Sequence, residues 1–279
     1  MRDLAVTTPF GAIAALEWGE RDAPPLLALH GWLDNAASFA AVAPLLAGEF
    51  RVIALDLPGH GRSAHLPAGV ARYHAVDYVD HVLNAADGLR LQRFDLLGHS
   101  LGAGVASLAA AAAPARIRKL ALIEGLGPLA DDGTQTLSRW RDAEAHRGIA
   151  RRATRVFASV DEAIAARVAV GDLESDEARA LVERSLRVVA GGYAWSSDAR
   201  LRLPTPLRIE ESQLRRLLAG IEADTLLLLA DPATPYLPHA RMQARAACVP
   251  AIRIECIAGR HHLHLQHPRE VAERLLAFL

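Results

Sequence analysis

At 279 residues the chain exceeds most single domains, yet it fits one α/β core carrying an insertion. Its 31 Lys and Arg against 32 Asp and Glu leave a formal net charge of -1, which excludes a global field for nucleic acid or an anionic membrane; neither partner is expected. The two cysteines, Cys248 and Cys256, fall in stretches that read as helix or strand, so buried thiols in a reducing compartment are expected rather than a disulfide framework. Residues 1–20 carry no basic stretch followed by an apolar one, and the apolar run 105–113 is short and mostly alanine, so a cytoplasmic location is the expectation.

Residues 4–6 and 13–18 read as an antiparallel hairpin at a sheet edge. Between residues 25 and 124, short apolar runs at 26–29, 51–55, 94–97 and 120–123 alternate with longer helix-like stretches, the pattern of βαβ units forming a parallel sheet. Each run ends on a residue that chemistry can use: His30, Asp56, the turn at Gly98, and Glu124. Ligands bind at the carboxyl ends of such strands, so the coincidence marks the functional edge. From residue 125 to about 203 the strand runs stop and the chain becomes charged and helical, with Ser159 and Glu162 spaced as a capping box. Strand patterns resume at 224–229 and 252–257, and a final helix covers 268–279. The predicted organisation is a core of residues 1–126 and 204–279, with a helical lid of residues 127–203 inserted between core strands.

Ser100 stands in Gly98-His99-Ser100-Leu101-Gly102, after one strand run and before a strongly helix-forming segment. A serine that attacks a carbonyl must expose its Oγ where backbone N–H groups meet the developing oxyanion. A tight strand-to-helix turn does both, and flanking glycines prevent clashes. A structural serine at a tight turn is the competing reading; the strand and helix on either side favour the nucleophile.

Four blocks occur in order: His30-Gly31-Trp32-Leu33-Asp34-Asn35, Asp56-Leu57-Pro58-Gly59-His60-Gly61-Arg62-Ser63, Gly98-His99-Ser100-Leu101-Gly102 and Gly259-Arg260-His261-His262-Leu263-His264. Over almost its whole length the chain resembles the α/β-hydrolase superfamily. With Trp195-Ser196-Ser197-Asp198-Ala199-Arg200-Leu201 added, it is similar to the serine hydrolase-like subgroup. The resemblance implies an α/β-hydrolase fold, a mostly parallel eight-stranded sheet flanked by helices with a helical lid insertion. It also implies an oxyanion hole from the backbone N–H groups of Leu101 and Trp32, and a pocket drawn from His30, Gly31, Trp32 and His99. The Trp32 side chain either packs in the core or lines the acyl side of that pocket. The segment 56–63 reads as a structural loop whose Gly and Pro residues set turns.

Members of the family place the catalytic histidine seven residues before a proline that opens the last helix; His261 stands so before Pro268. His262 is the alternative, and His264 is expected to pack beneath the loop. The cluster of histidines invites a metal reading, but no cysteine accompanies it and Glu270 falls on the next helix, so no metal and no cofactor are expected. The orienting acid must lie between serine and histidine in chain order. Aligning Ala230-Asp231-Pro232-Ala233 to the family's usual position leaves Ala233 where the acid belongs and Asp231 two residues early. A minority of the superfamily carries the acid at the end of the strand before the lid, where Glu124 stands. Glu124 is preferred, with Asp231 the alternative. Asp95 is expected to be a buried or edge residue, and Asp131 and Asp132 to lie on the lid neck.

A serine nucleophile points to a small-molecule acyl substrate and ester hydrolysis through an acyl-enzyme on Ser100. Thioester hydrolysis, carbon–carbon bond hydrolysis and acyl transfer on the same triad remain open, as does, less favoured, a non-catalytic receptor or scaffold. Haloalkane dehalogenases and epoxide hydrolases of this fold carry Asp at the elbow, which argues against both. Arg147, Arg151, Arg152 and Arg155 read as a solvated helix face rather than an anion site. The lid is expected only to shape the entrance, with every catalytic group supplied by the core.

Overall fold

The computed structural model describes residues 1–148 and 155–279. The chain opens with the hairpin β1 (Arg2–Thr8) and β2 (Gly11–Trp18), then runs through β3 (Pro25–Leu29), α1 (Ala43–Leu46), β4 (Arg51–Leu55), α2 (Tyr78–Gly88), β5 (Phe94–His99), α3 (Leu101–Ala112) and β6 (Ile117–Ile123). The inserted segment carries β7 (Ala130–Asp131), α4 (Thr136–Ala145), β8 (Val156–Phe157), α5 (Val160–Val168), α6 (Ser175–Ser185), β9 (Leu186–Val189) and β10 (Gly192–Trp195). After β11 (Ile209–Glu210) and α7 (Glu211–Leu218), the core resumes with β12 (Asp224–Asp231), α8 (His239–Ala246), β13 (Ile252–Ala258), α9 (Leu263–Gln266) and α10 (Pro268–Phe278).

Eight strands form one sheet in the order β1-β2-β4-β3-β5-β6-β12-β13, parallel from β4 onward and antiparallel only at the β1–β2–β4 edge. The central strands read as continuous apolar runs because both faces are covered. Leu27, Leu29, Ile53 and Leu55 enter the layer shared with α2, α3 and α7, whereas Leu26, Ala28, Val52 and Ala54 enter the opposite layer with Phe39, Leu46 and Leu275. This alternation is the two-residue period of a strand. Helix α3 is buried from Gly102 to Ala110, and its run of Ala and Gly lets it lie close against the sheet beneath the site.

Every predicted core strand is present, and the α/β-hydrolase architecture expected from the sequence is the one observed. The inserted segment differs from the helical expectation in containing a three-stranded antiparallel sheet, β8-β10-β9, around its own apolar cluster of Phe157, Ile164, Leu181 and Val182. Strands of two to four residues are too short to leave a readable alternation. The neck closes where β7 pairs with β11, so the second crossing lies at 209–210. The Ser159 side chain does accept from Glu162 N–H at 3.1 Å, but the Glu162 carboxylate turns to Ala158 N–H instead of completing the box. The cysteines depart from expectation: Cys256 is exposed on edge strand β13 and Cys248 is half-buried. Among the described residues, no helix is long and apolar enough to cross a membrane.

Candidate active site

Ser100 sits between β5 and α3 with φ 52° and ψ −112°, a conformation costing a non-glycine residue about 1–3 kcal/mol and held only by its surroundings. The holding contacts are Ser100 N–H to Ile123 O at 3.0 Å and Gly104 N–H to Ser100 O at 3.0 Å. Both flanking glycines are forced by space: a Cβ on Gly98 would lie 2.5 Å from Gly102 O, and one on Gly102 would lie 2.0 Å from Leu29 O.

His261, in the loop after β13, places Nε2 2.9 Å from Ser100 Oγ and Nδ1 3.0 Å from Glu124 Oε2. Glu124 directly follows β6 in a left-handed conformation, φ 53°, pinned by its N–H to Leu228 O at 2.9 Å. Its Oε1 accepts Ala230 N–H at 2.6 Å, and Oε2 also accepts the Thr234 hydroxyl. Burial pushes this carboxyl up, but the bonds from His261, Ala230 and Thr234 outweigh it and hold the group below its ordinary value, so it is ionised at neutral pH. Asp231 is exposed at the end of β12 and makes no hydrogen bond to His261 among the described residues. The loop that offers Ala233 at the usual acid position instead contributes Thr234 to Glu124. A histidine bridged this way can take a hydroxyl proton on Nε2 while the carboxylate fixes the tautomer and balances imidazolium.

Tyr236 lies edge-on to His261 at 5.4 Å between ring centroids, and burial together with the Glu124 charge pushes its phenol up to about 12. Among the described residues, neither Trp32 N–H nor Leu101 N–H bonds to a backbone acceptor outside the helices and strands. The Trp32 side chain is 53% exposed rather than packed in the core, and its Nε1–H donates to Leu201 O at 3.0 Å. Two of the expected pocket residues require correction. His30 is wholly buried, with Nδ1 donating to Gly31 O at 2.7 Å and Nε2 accepting Leu57 N–H at 3.0 Å. His99 is also wholly buried, with Nε2 donating to His261 O at 3.0 Å. Both brace loops from behind instead of facing a substrate, and burial lowers the pKa of each.

His262 is turned away from Ser100 and donates from Nε2 to Asp34 Oδ2 at 3.2 Å. His264 packs beneath the loop as expected, bonded to Ser38 Oγ at 2.7 Å and tilted against Phe39 at 5.3 Å between ring centroids. Asp34, His99 and His262 bring three ligand-type atoms within 4.8 Å of one another. Asp34 Oδ1, however, accepts Arg167 Nη2 at 2.9 Å, and Oδ2 accepts His262. Burial opposes this charge, yet its hydrogen-bonded partners hold the carboxyl well below its ordinary value. An anion already paired with a guanidinium and an N–H is a poor seat for a further cation. Asp56 behaves as a structural anchor, accepting Ala36 N–H, Arg62 N–H and the Arg184 guanidinium. Asp95 is buried against Arg118, Asp131 pairs with Arg139 at the neck, and Asp132 caps Thr134 there.

A model of the alpha/beta hydrolase fold family matches residues 24–268. The chain belongs to the α/β-hydrolase family. This hydrolase is similar to a serine hydrolase-like protein of Danio rerio, 31% identical over 99% of the chain and 88% of the relative. A solved hypothetical protein of Pseudomonas aeruginosa PAO1 is 37% identical with a TM-score of 0.91, covering 100% of this chain and 99% of that one. The thioesterase domain of the curacin biosynthetic pathway is 26% identical with a TM-score of 0.85, covering 99% of each chain.

Sequence reasoning left Asp34, Thr234, Tyr236 and Arg167 without roles. Asp34 stood in a quoted block, yet its partners lie 133 and 228 residues away, so only folding displays them. Arg167 was indistinguishable from the solvated arginines around it.

Proposed function

We propose that this α/β hydrolase cleaves a carboxylic ester or related acyl bond through an acyl-enzyme on Ser100. The observation that carries the reading is the unbroken line Ser100 Oγ, His261, Glu124, with separations of 2.9 and 3.0 Å. His261 Nε2 takes the hydroxyl proton as Oγ attacks the carbonyl carbon, and the oxyanion is met by Leu101 N–H and Trp32 N–H. The tetrahedral adduct collapses as the leaving oxygen takes the proton back from Nε2. Water then gives a proton to Nε2 as it attacks the acyl carbon, and the second adduct collapses as Ser100 Oγ leaves and takes that proton back from Nε2, releasing the acid and free Ser100. Glu124 stays ionised throughout.

The test is labelling by a fluorophosphonate probe and turnover of p-nitrophenyl esters graded by chain length. Ser100→Ala should abolish labelling and cost at least about a thousandfold in kcat; undiminished turnover in pure Ser100→Ala protein would refute the reading. A thioester substrate is the second reading, favoured by the similarity to a thioesterase domain over the full chain. Matched oxygen and sulfur esters of one acyl group decide between them through kcat/KM. An anionic substrate held by the inserted arginines lacks support: Arg147 and Arg155 pair with Glu144 and Glu162, while Arg151 and Arg152 lie outside the described residues. A small-molecule acyl substrate and a cytoplasmic setting complete the proposal.

A further inference from the structure

The loop 30–35 supplies the Trp32 donor, and it is a strained loop. Leu33 adopts φ 62°, which a γ-branched residue holds only when its surroundings over-determine it. The core fixes the start of the loop through Gly102 N–H to His30 O at 3.0 Å and Leu57 N–H to His30 Nε2 at 3.0 Å. Among the described residues, beyond Gly31 every long-range side-chain hydrogen bond of this loop but the one to His262 goes to the inserted segment. Trp32 Nε1 reaches Leu201 O at 3.0 Å, Asp34 Oδ1 accepts Arg167 at 2.9 Å, and Asn35 Nδ2 donates to Leu181 O at 2.8 Å and Ser185 Oγ at 2.7 Å.

The Arg167 contact differs in kind from the others. Arg167 comes from α5 with its side chain 18% exposed, and it meets a carboxylate that is 1% exposed. The other oxygen of that carboxylate holds His262, the residue next to His261. One buried charge thus ties the oxyanion loop, the histidine loop and the inserted segment together. Without the guanidinium, Asp34 keeps among the described residues a single side-chain hydrogen-bond partner, His262, and gains by moving toward water, which pulls both loops away from Ser100.

We infer that Arg167 is a positioning residue: acting through Asp34, it holds the Trp32 N–H and the His261 loop in register, so that turnover requires the inserted segment to be docked. The inference rests on the acyl-transfer reading given above. It concerns a side chain that touches neither Ser100 nor His261, so its signature is a change in kcat rather than in the capture of a small substrate.

The experiment uses the full chain and p-nitrophenyl acetate, too small to sample the outer wall of the pocket. Arg167→Met should lower kcat about tenfold or more, part of the 10²–10³ that a whole oxyanion donor supplies, with KM within about twofold. Arg167→Lys, which keeps the charge, should recover most of the loss. Trp32→Phe, which keeps the backbone donor but drops the bond to Leu201, should lower kcat in the same way and keeps the test open should Arg167→Met fail to fold. Arg179→Met, which removes exposed pairs with Asp161 and Glu183 on the same segment, should leave kcat unchanged. Wild-type kcat in Arg167→Met, equal losses in the Lys and Met variants, or a rise in KM alone would overturn the inference while Ser100-dependent turnover stands. Wild-type protein without Ser100-dependent turnover of esters or thioesters overturns the hydrolase reading itself, and the inference falls with it.

Discussion

Glu124→Gln isolates the charge of the acid from its shape. At the 3.0 Å between His261 Nδ1 and Glu124 Oε2, a full charge at an effective dielectric of about 20 stabilises imidazolium by about 5.5 kcal/mol, a factor of about ten thousand in rate. The hydrogen bonds point the same way. With Oε1 still accepting Ala230 N–H, the amide nitrogen must stand where Oε2 accepted from both Thr234 and His261. The Thr234 hydroxyl can rotate to accept. The imidazole can accept only by moving its proton to Nε2, which then donates to Ser100 and no longer serves as a base. We expect kcat for p-nitrophenyl acetate to fall about 10³–10⁴-fold in Glu124→Gln, against less than about threefold in Asp231→Asn, whose side chain faces solvent. Thermal scans of both variants separate lost chemistry from lost fold. A Glu124→Gln enzyme within tenfold of wild type, or a larger loss from Asp231→Asn, would show that the carboxylate does not act through His261.

His261→Ala should cost at least about a thousandfold in kcat, and His262→Ala much less, because its ring bonds Asp34 rather than Ser100; steady-state kinetics on the pair checks the assignment. Arg184→Met leaves Asp56 buried beside an apolar chain where a 5%-exposed guanidinium had met a carboxylate with no exposure, and should lower unfolding free energy by about 3–5 kcal/mol in urea titrations. Glu124 and Asp34 have folded-state values below their unfolded ones, so the stability they add is present above the usual carboxyl range near 4 and is lost as pH falls through the folded values. Melting temperatures from pH 7 to 3 should therefore fall steeply below about pH 4, with a shallower slope in Glu124→Gln; identical slopes would contradict the linkage.

The features legible in the sequence are those set by neighbours along the chain. The elbow is one: Gly98 and Gly102 flank Ser100 because a Cβ at either would strike backbone within a few residues or on the adjacent strand, and that demand is written in five consecutive letters. The sheet is another, since strands buried on both faces must be apolar throughout. His261 was placed by the resemblance to the family, whose spacing to a helix-opening proline it matches at Pro268. The acid was not local. Glu124 and Asp231 end adjacent strand positions of similar character, and the path of residues 232–236 decides between them by bringing Thr234 and Tyr236 over Glu124 and His261 while Asp231 turns to solvent. Nor could periodicity separate Arg167 and Arg184 from the solvated arginines around them, because a helix face shows which residues share a side and not what that side meets. Those two side chains become anchors only when the fold removes water from Asp34 and Asp56, so that each buried carboxylate meets its guanidinium across 133 and 128 residues.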